Sequence, residues 1–224
     1  MVIKDNLDQV KATLKPGVTL VAVSKTKPNQ LIEEAYAAGH RIFGENKALE
    51  MRDKAEALPK DIEWHFIGSL QRNKVKYIAP FVALIHSVDS QRLLEEIQKQ
   101  AAKKDRVIPV LLQVKIAQEE SKSGFMETEL EELIQELDAK KYPNVVLRGL
   151  MGMATNTDDM DQVKREFVGL KNTLDKVQAQ FPNQDLSVCS MGMSGDYQLA
   201  QEAGSTMVRV GSAIFGQRNY ATTP

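Results

Sequence analysis

Eight short apolar runs, each separated from the next by a stretch with helical periodicity, constrain this chain more than any other feature. The runs cover residues 20–23, 41–43, 63–67, 83–86, 108–114, 145–148, 186–189 and 207–210. Runs of this length, bounded by turn residues, read as buried strands. Helical patterns fall between them at residues 30–38, 47–58, 73–78, 90–103, 127–140, 159–180 and 197–203. Gly39, Pro59 and Gly204 stand where helices should stop, and Asn46, Ser90 and Ser194 read as N-caps. An amphipathic helix carrying Leu7, Val10 and Leu14 precedes the first strand and is stopped by Pro16-Gly17. Strands alternating with helices across short connections demand a parallel sheet with helical crossovers. Eight such units predict an α/β fold, a closed (β/α)8 TIM-type barrel with an extra N-terminal helix. An open doubly wound sheet is the competing reading. No linker or low-complexity segment divides residues 1–224, so one domain is expected.

Composition removes several function classes. A formal net charge of −1 gives no overall attraction to nucleic acid or an anionic membrane. The basic stretch Arg72, Lys74 and Lys76 is local and reads as a solvated face. No apolar run approaches the ~18 residues of a membrane span, and the first residues lack a secretory pattern. The one cysteine, Cys189, cannot form an internal disulfide and reads as a buried thiol in a reducing compartment. A cytoplasmic monomer or weak dimer is expected. His40, His65 and His86 lack metal-ligand spacing, so no metal site is assigned. His40 is expected at the surface; His65 and His86 are expected hydrogen-bonded in the core, with lining the pocket as the alternative.

In a barrel of this kind the chemistry sits at the C-terminal ends of the strands. The first strand ends in Lys25, an amine that either snorkels with its stem on the core or forms a Schiff base with a carbonyl compound. After the seventh strand, Ser194 lies among Gly192 and Gly195 at a helix start, where free amides and the helix dipole suit a phosphate. Asp196 must then point away from that anion. Gly211 and Ser212, after the eighth strand, can add amide donors. The alternative is that Ser194 only caps its helix and the glycines only make turns. Arg209 lies within the eighth strand and needs a partner. Glu45 is the structural candidate and an aromatic ring nitrogen of a ligand the functional one. The first and eighth strands adjoin in a closed barrel, so Lys25 and Arg209 share a wall. Ser205 and Thr206 fall at the opposite end and read as structural. An aldehyde-capturing amine, a phosphate site and a ring-nitrogen partner together describe a site for pyridoxal 5′-phosphate (PLP).

These residues carry a family resemblance. Val23-Ser24-Lys25-Thr26-Lys27-Pro28, Phe43-Gly44-Glu45-Asn46, the run from His65 through Gly68-Ser69-Leu70-Gln71-Arg72-Asn73-Lys74, and His86-Ser87-Val88-Asp89 appear in family order. So do Ser190-Met191-Gly192-Met193-Ser194-Gly195-Asp196 and the run from Gly204 to Gly216. The chain thus resembles the PLP homeostasis proteins, relatives of the N-terminal barrel domain of alanine racemase. The resemblance implies that Lys25 forms the internal aldimine and that Ser194, Gly211 and Ser212 surround the phosphate. It also implies that Arg209 faces the pyridine nitrogen and that Asn46 lies near the ring. Met151-Gly152-Met153-Ala154-Thr155 departs from the family pattern, which carries a bulkier polar residue in place of Gly152.

The family is implicated in carrying PLP and balancing vitamin B6 and amino-acid pools, with PLP and apo PLP-dependent enzymes as partners. An arginine at the pyridine nitrogen disfavours its protonation and weakens the ring as an electron sink. Two-base racemisation also needs an acid/base on each ring face, and no second base is evident. A carrier without catalytic residues is therefore expected; a single-domain PLP-dependent amino-acid racemase is the alternative. Cations at residues 71–76 are expected near the cavity mouth.

Overall fold

The computed structural model describes residues 2–118, 123–138 and 141–217. Eight parallel strands, β1 (Thr19–Val23), β2 (Ile42–Glu45), β3 (Glu63–Phe66), β4 (Leu84–Val88), β5 (Ile108–Gln113), β6 (Val145–Met151), β7 (Val188–Met193) and β8 (Met207–Val210), close into a barrel in sequence order. Closure is made by β8 on β1, with Val21 opposite Arg209, which rules out the open sheet. The helices are α1 (Val2–Ala12), α2 (Asn29–Ala37), α3 (Ala48–Ala57), α4 (Val75–Ile78), α5 (Gln91–Ala102), α6 (Glu127–Asp138), α7 (Met160–Gln180), α8 (Tyr197–Glu202) and α9 (Ser212–Phe215). None of the described helices is long and apolar enough to cross a membrane.

Strand alternation builds two separate cores. Leu20, Ala22, Phe43, Trp64, Phe66, Val208 and Val210 pack outward under the helices. Val21, Leu84, Leu111, Met151 and Met207 form a second cluster inside the barrel, an apolar floor beneath the strands' C-terminal ends. The extra helix α1 buries Ile3, Leu7 and Val10; Leu14 lies beyond its end. It packs on α2 and α9, and Asn6 Nδ2 donates to Ile214 O at 3.0 Å. Gln201 of α8 meets Thr13 O and Lys15 N–H. The helix therefore braces the elements that follow β7 and β8.

Several local expectations are corrected. The seventh strand runs to Met193 rather than ending at Cys189, through a register shift between Ser190 and Met193. Gly192 within it stands at φ +95, and a Cβ there would lie 2.6 Å from Ala200 Cβ, so no larger residue lets α8 pack so closely. The fourth strand continues to Val88. The helix expected over residues 73–78 begins as a 3-10 turn at Arg72–Lys74, and α4 proper starts at Val75. His40 is buried, its Nε2 2.8 Å from Ile42 O and its ring edge-on to Phe43, and burial lowers its pKa to about 4. The turn at Gly39 folds the ring back onto β2 instead of leaving it at the surface. Residues 139–140 of the expected sixth helix lie outside the described residues.

Candidate functional site

A cavity of about 480 Å3 opens at the C-terminal ends of the strands. All six residues singled out from the sequence, Lys25, Asn46, Ser194, Arg209, Gly211 and Ser212, line it, together with the apolar Val23, Ile67, Met153 and Met193. Lys25, Lys27 and Arg209 also make it cationic; no Asp or Glu is among its described lining residues.

Lys25 is half-buried, in a turn closed by Lys27 N–H donating to Ser24 O at 3.0 Å. Lys27 reaches across the rim, its Nζ donating to the carbonyls of Phe215, Gly216 and Gln217. The amine of Lys27 is thereby committed to the end of α9.

Arg209 is buried, and its guanidinium donates to Ser190 O (2.9 Å), Ser190 Oγ (2.6 Å) and Gly152 O (3.1 Å). Further N–H donors remain for the cavity. Glu45 is not its partner. Residue 45 points to the helix side of β2, where its carboxylate accepts from Ser24 Oγ (2.6 Å) and Lys54 Nζ (2.7 Å). Burial pushes the Arg209 pKa down to about 10, so it remains cationic at neutral pH. Gly152 is small because a Cβ there would press within 2.8 Å of Ile116 Cδ1 and Leu170 Cδ2.

Beneath Arg209 runs a neutral polar layer. Ser190 Oγ lies 2.9 Å from His86 Nδ1, and His86 Nε2 lies 2.9 Å from His65 Nδ1. A guanidinium only donates, so Ser190 Oγ accepts from it and keeps its own hydrogen for His86. Burial pushes the His65 pKa to about 3 and that of His86 well below the usual value. Both histidines take the expected core role. Their connection to Arg209 was not anticipated; residues 65, 86, 190 and 209 share the inward parity of their strands, and that signal was available.

Ser194 is no N-cap: α8 begins at Tyr197 after Asp196. The Ser194 hydroxyl instead accepts Gly211 N–H at 3.0 Å, joining the two loops after β7 and β8. Asp196 turns back to accept Met193 N–H at 2.5 Å, away from the cavity as its charge requires. Asn46 is likewise no N-cap, since Lys47 holds that position. Its Oδ1 is buried without a hydrogen-bond partner. In α9 the Ile214 and Phe215 N–H groups donate to Gly211 O, and only those of Ser212 and Ala213 have no acceptor within the helix. Ser205 and Thr206 bond to Cys189 and Met191 of β7 and to Ser187 just before it, the structural role expected of them. Cys189 is buried, which raises its pKa to about 12. Of the methionines expected at the barrel top, Met153 and Met193 line the cavity, whereas Met151 lies in the floor. Lys74 faces a shallower cavity of about 380 Å3 that shares Asn46 and Ser69 with the main one. Among the described residues no group of His, Cys, Asp or Glu is arranged to hold a metal ion.

The family model "Alanine racemase, N-terminal domain" matches residues 2–219. A pyridoxal phosphate homeostasis protein of Vibrio alginolyticus is 42% identical over 220 residues, covering 96% of this chain and 93% of the relative. The solved structure of PipY from Synechococcus elongatus without PLP is 36% identical with a TM-score of 0.91, covering 96% of this chain and 100% of PipY. The PLP-bound form of PipY is 35% identical with a TM-score of 0.86, over the same shares of the two chains. The chain belongs to the pyridoxal phosphate homeostasis proteins, a family built on the barrel of the alanine racemase N-terminal domain.

Proposed function

We propose that this protein is a single-domain PLP carrier and buffer that holds the cofactor as a Schiff base on Lys25 and thereby regulates vitamin B6 and amino-acid pools in the cytoplasm. The observation that carries this reading is the convergence of Lys25, Asn46, Ser194, Arg209, Gly211 and Ser212 on one cationic cavity. The donor set suits the group. A lysine amine stands on one wall, and Arg209 keeps spare donors on the adjoining strand. The Ser194–Gly211 bond brings the loops after β7 and β8 together; it occupies the Gly211 amide, contrary to the expectation that Gly211 would donate to a phosphate, and leaves the Ser212 amide beside it for that role. A Cβ at Gly195 would meet nothing within 4 Å, which leaves room for a phosphate. Asn46 Oδ1 lacks a partner that a ring substituent would supply. When bound, PLP supplies an aldehyde that captures amines and a ring that withdraws electrons. In this reading Ser194, Gly211 and Ser212 surround the phosphate, Arg209 faces the ring nitrogen without yielding a proton, and Asn46 borders the ring.

The relatives are named for homeostasis rather than for a reaction. Among the described lining residues there is no tyrosine, histidine or carboxylate to act as the second base of a racemase. Apo PLP-dependent enzymes are the recipients that such a carrier would serve. Addition of PLP should give a visible absorbance band that borohydride fixes onto Lys25, located by peptide mapping. Absence of that band, or label on another lysine, refutes the assignment. Exchange of a substrate α-proton well above the rate with free PLP would favour the racemase instead.

A further inference from the structure

The turn that presents Lys25 is gripped from its outer side. Ser24, Lys25, Thr26 and Lys27 form a β-turn, and its third residue, Thr26, stands at φ 63. Turns of this shape take Gly at that position, and a β-branched residue there is an outlier that its surroundings must hold. The holding contacts are all present. Thr26 N–H donates to Glu50 Oε1 at 2.6 Å. Lys54 Nζ donates to the same oxygen at 2.8 Å, to Ser24 O at 2.9 Å and to Glu45 Oε1 at 2.7 Å. Each ammonium hydrogen has its acceptor. Glu45 Oε1 also accepts from Ser24 Oγ. Both neighbours of Lys25 are therefore tied to one charged cluster rooted in β2 and α3. A cluster serving stability alone has no use for a strained threonine beside the lysine that follows β1 into the cavity.

We propose that Glu50 and Lys54 are positioning residues for Lys25: through Thr26 N–H and Ser24 O they hold the turn in the shape that sends the Lys25 side chain into the cavity. The ligand part of this proposal rests on the PLP reading; the conformational part does not.

The test uses the full chain with Glu50→Ala, which leaves Lys54 paired with Glu45 and so strands no buried charge. Acylation of Lys25 by an amine-reactive ester, followed by mass spectrometry of its peptide, should shift severalfold toward the rate of the exposed Lys99. The apparent affinity for added PLP should fall on the order of tenfold, the factor that release of one strained residue allows. Glu50→Gln keeps an oxygen acceptor and should stay near wild type. Thr26→Gly added to Glu50→Ala should recover most of the loss, because glycine holds the positive φ unaided. The proposal is overturned if Glu50→Ala lowers only the melting temperature, with acylation and PLP affinity of the folded protein unchanged. It is also overturned if Thr26→Gly recovers nothing. Failure of wild type to bind PLP would refute the proposed function, while the acylation rates would still decide the clamp.

Discussion

Lys54→Met isolates the buried charge pair behind the Lys25 turn. The Lys54 side chain is 7% exposed and that of Glu45 0%, so the cost follows buried pairs rather than surface ones. Removing one partner of such a pair destabilises by about 3–5 kcal/mol, because the other charge stays buried and uncompensated. Glu45 is especially dependent, since its Oε2 already lacks a donor. For a chain of this size, at roughly 2–4 °C per kcal/mol, the melting temperature should fall on the order of 10 °C at neutral pH.

The loss should also depend on pH. Burial raises the Glu45 pKa above the model-compound 4.5, and Lys54 together with Ser24 pulls it back. Without Lys54 the rise grows. The folded state then holds the proton more tightly than the unfolded chain, so stability falls as pH rises between the two pKa values. The gap between variant and wild type should be full at pH 7.5 and shrink toward pH 5, near the unfolded value. Guanidinium denaturation at both pH values measures it. Adding Glu45→Gln to the variant should flatten the dependence. A gap equal at both pH values, or a shift below about 2 °C, would refute the view that Lys54 compensates Glu45.

Other outcomes follow from the same geometry. Lys25→Ala should abolish both the PLP absorbance band and the borohydride label; a band that persists with the same intensity would move the Schiff base elsewhere. Ser190→Ala leaves His86 Nδ1 and an Arg209 N–H without their shared partner and should cost about 1–3 kcal/mol in chemical denaturation; an unchanged midpoint would argue against a connected layer. Gly149 stands at φ +146 with its Cβ position on Val188 O, so Gly149→Ala should sharply reduce folded yield and melting temperature, and a wild-type melt would contradict the β6–β7 packing. The imidazole signals of His65 and His86 should not titrate between pH 8 and 5 by NMR. Their lowered folded pKa values mean that the unfolded chain takes up protons first. Stability should therefore decline as pH falls below 6.5, by up to about 1.4 kcal/mol per pH unit for each histidine.

The barrel was legible because its signal is periodic: eight strand patterns alternate with seven helical ones, and α1 announced itself through Leu7 and Val10. What failed was local. The extension of β7 through Met191-Gly192-Met193 has no β-branched run to mark it, and only the packing of Gly192 on Ala200 explains why the strand continues there. Ser194 and Asn46 satisfy the composition rule for N-caps, yet the Ser194 hydroxyl meets an amide from the next loop. A rule about neighbours along the chain cannot see that contact. His40 was placed at the surface from the Gly before it; the ring's contact with Phe43 depends on how that turn is aimed. That the six named residues would line one cavity was readable, since position at a strand end places a side chain there whatever the helices do.

Alternation along the strands also explains the sign of the cavity. Lys25 lines the cavity from the turn after β1, which ends at Val23 rather than at Lys25, and Arg209 from within β8, whereas Glu45 falls outward and meets Lys54 from α3. The pairing of Glu45 with Arg209 that composition suggests would require one strand to slip by a residue. That slip would turn the whole apolar face of β2 toward the cavity. The two buried charges are thus kept apart by the same constraint that forms the cores, and Arg209 is held by Ser190 and the Gly152 carbonyl while further N–H donors face the cavity. Neutral acceptors hold a guanidinium in place without cancelling its charge. Asp196, in the loop after β7, is turned into its own backbone at Met193. The barrel therefore presents its positive groups to the cavity and its negative groups to the helices or to their own loops, which leaves the counter-charge to be brought by whatever binds there.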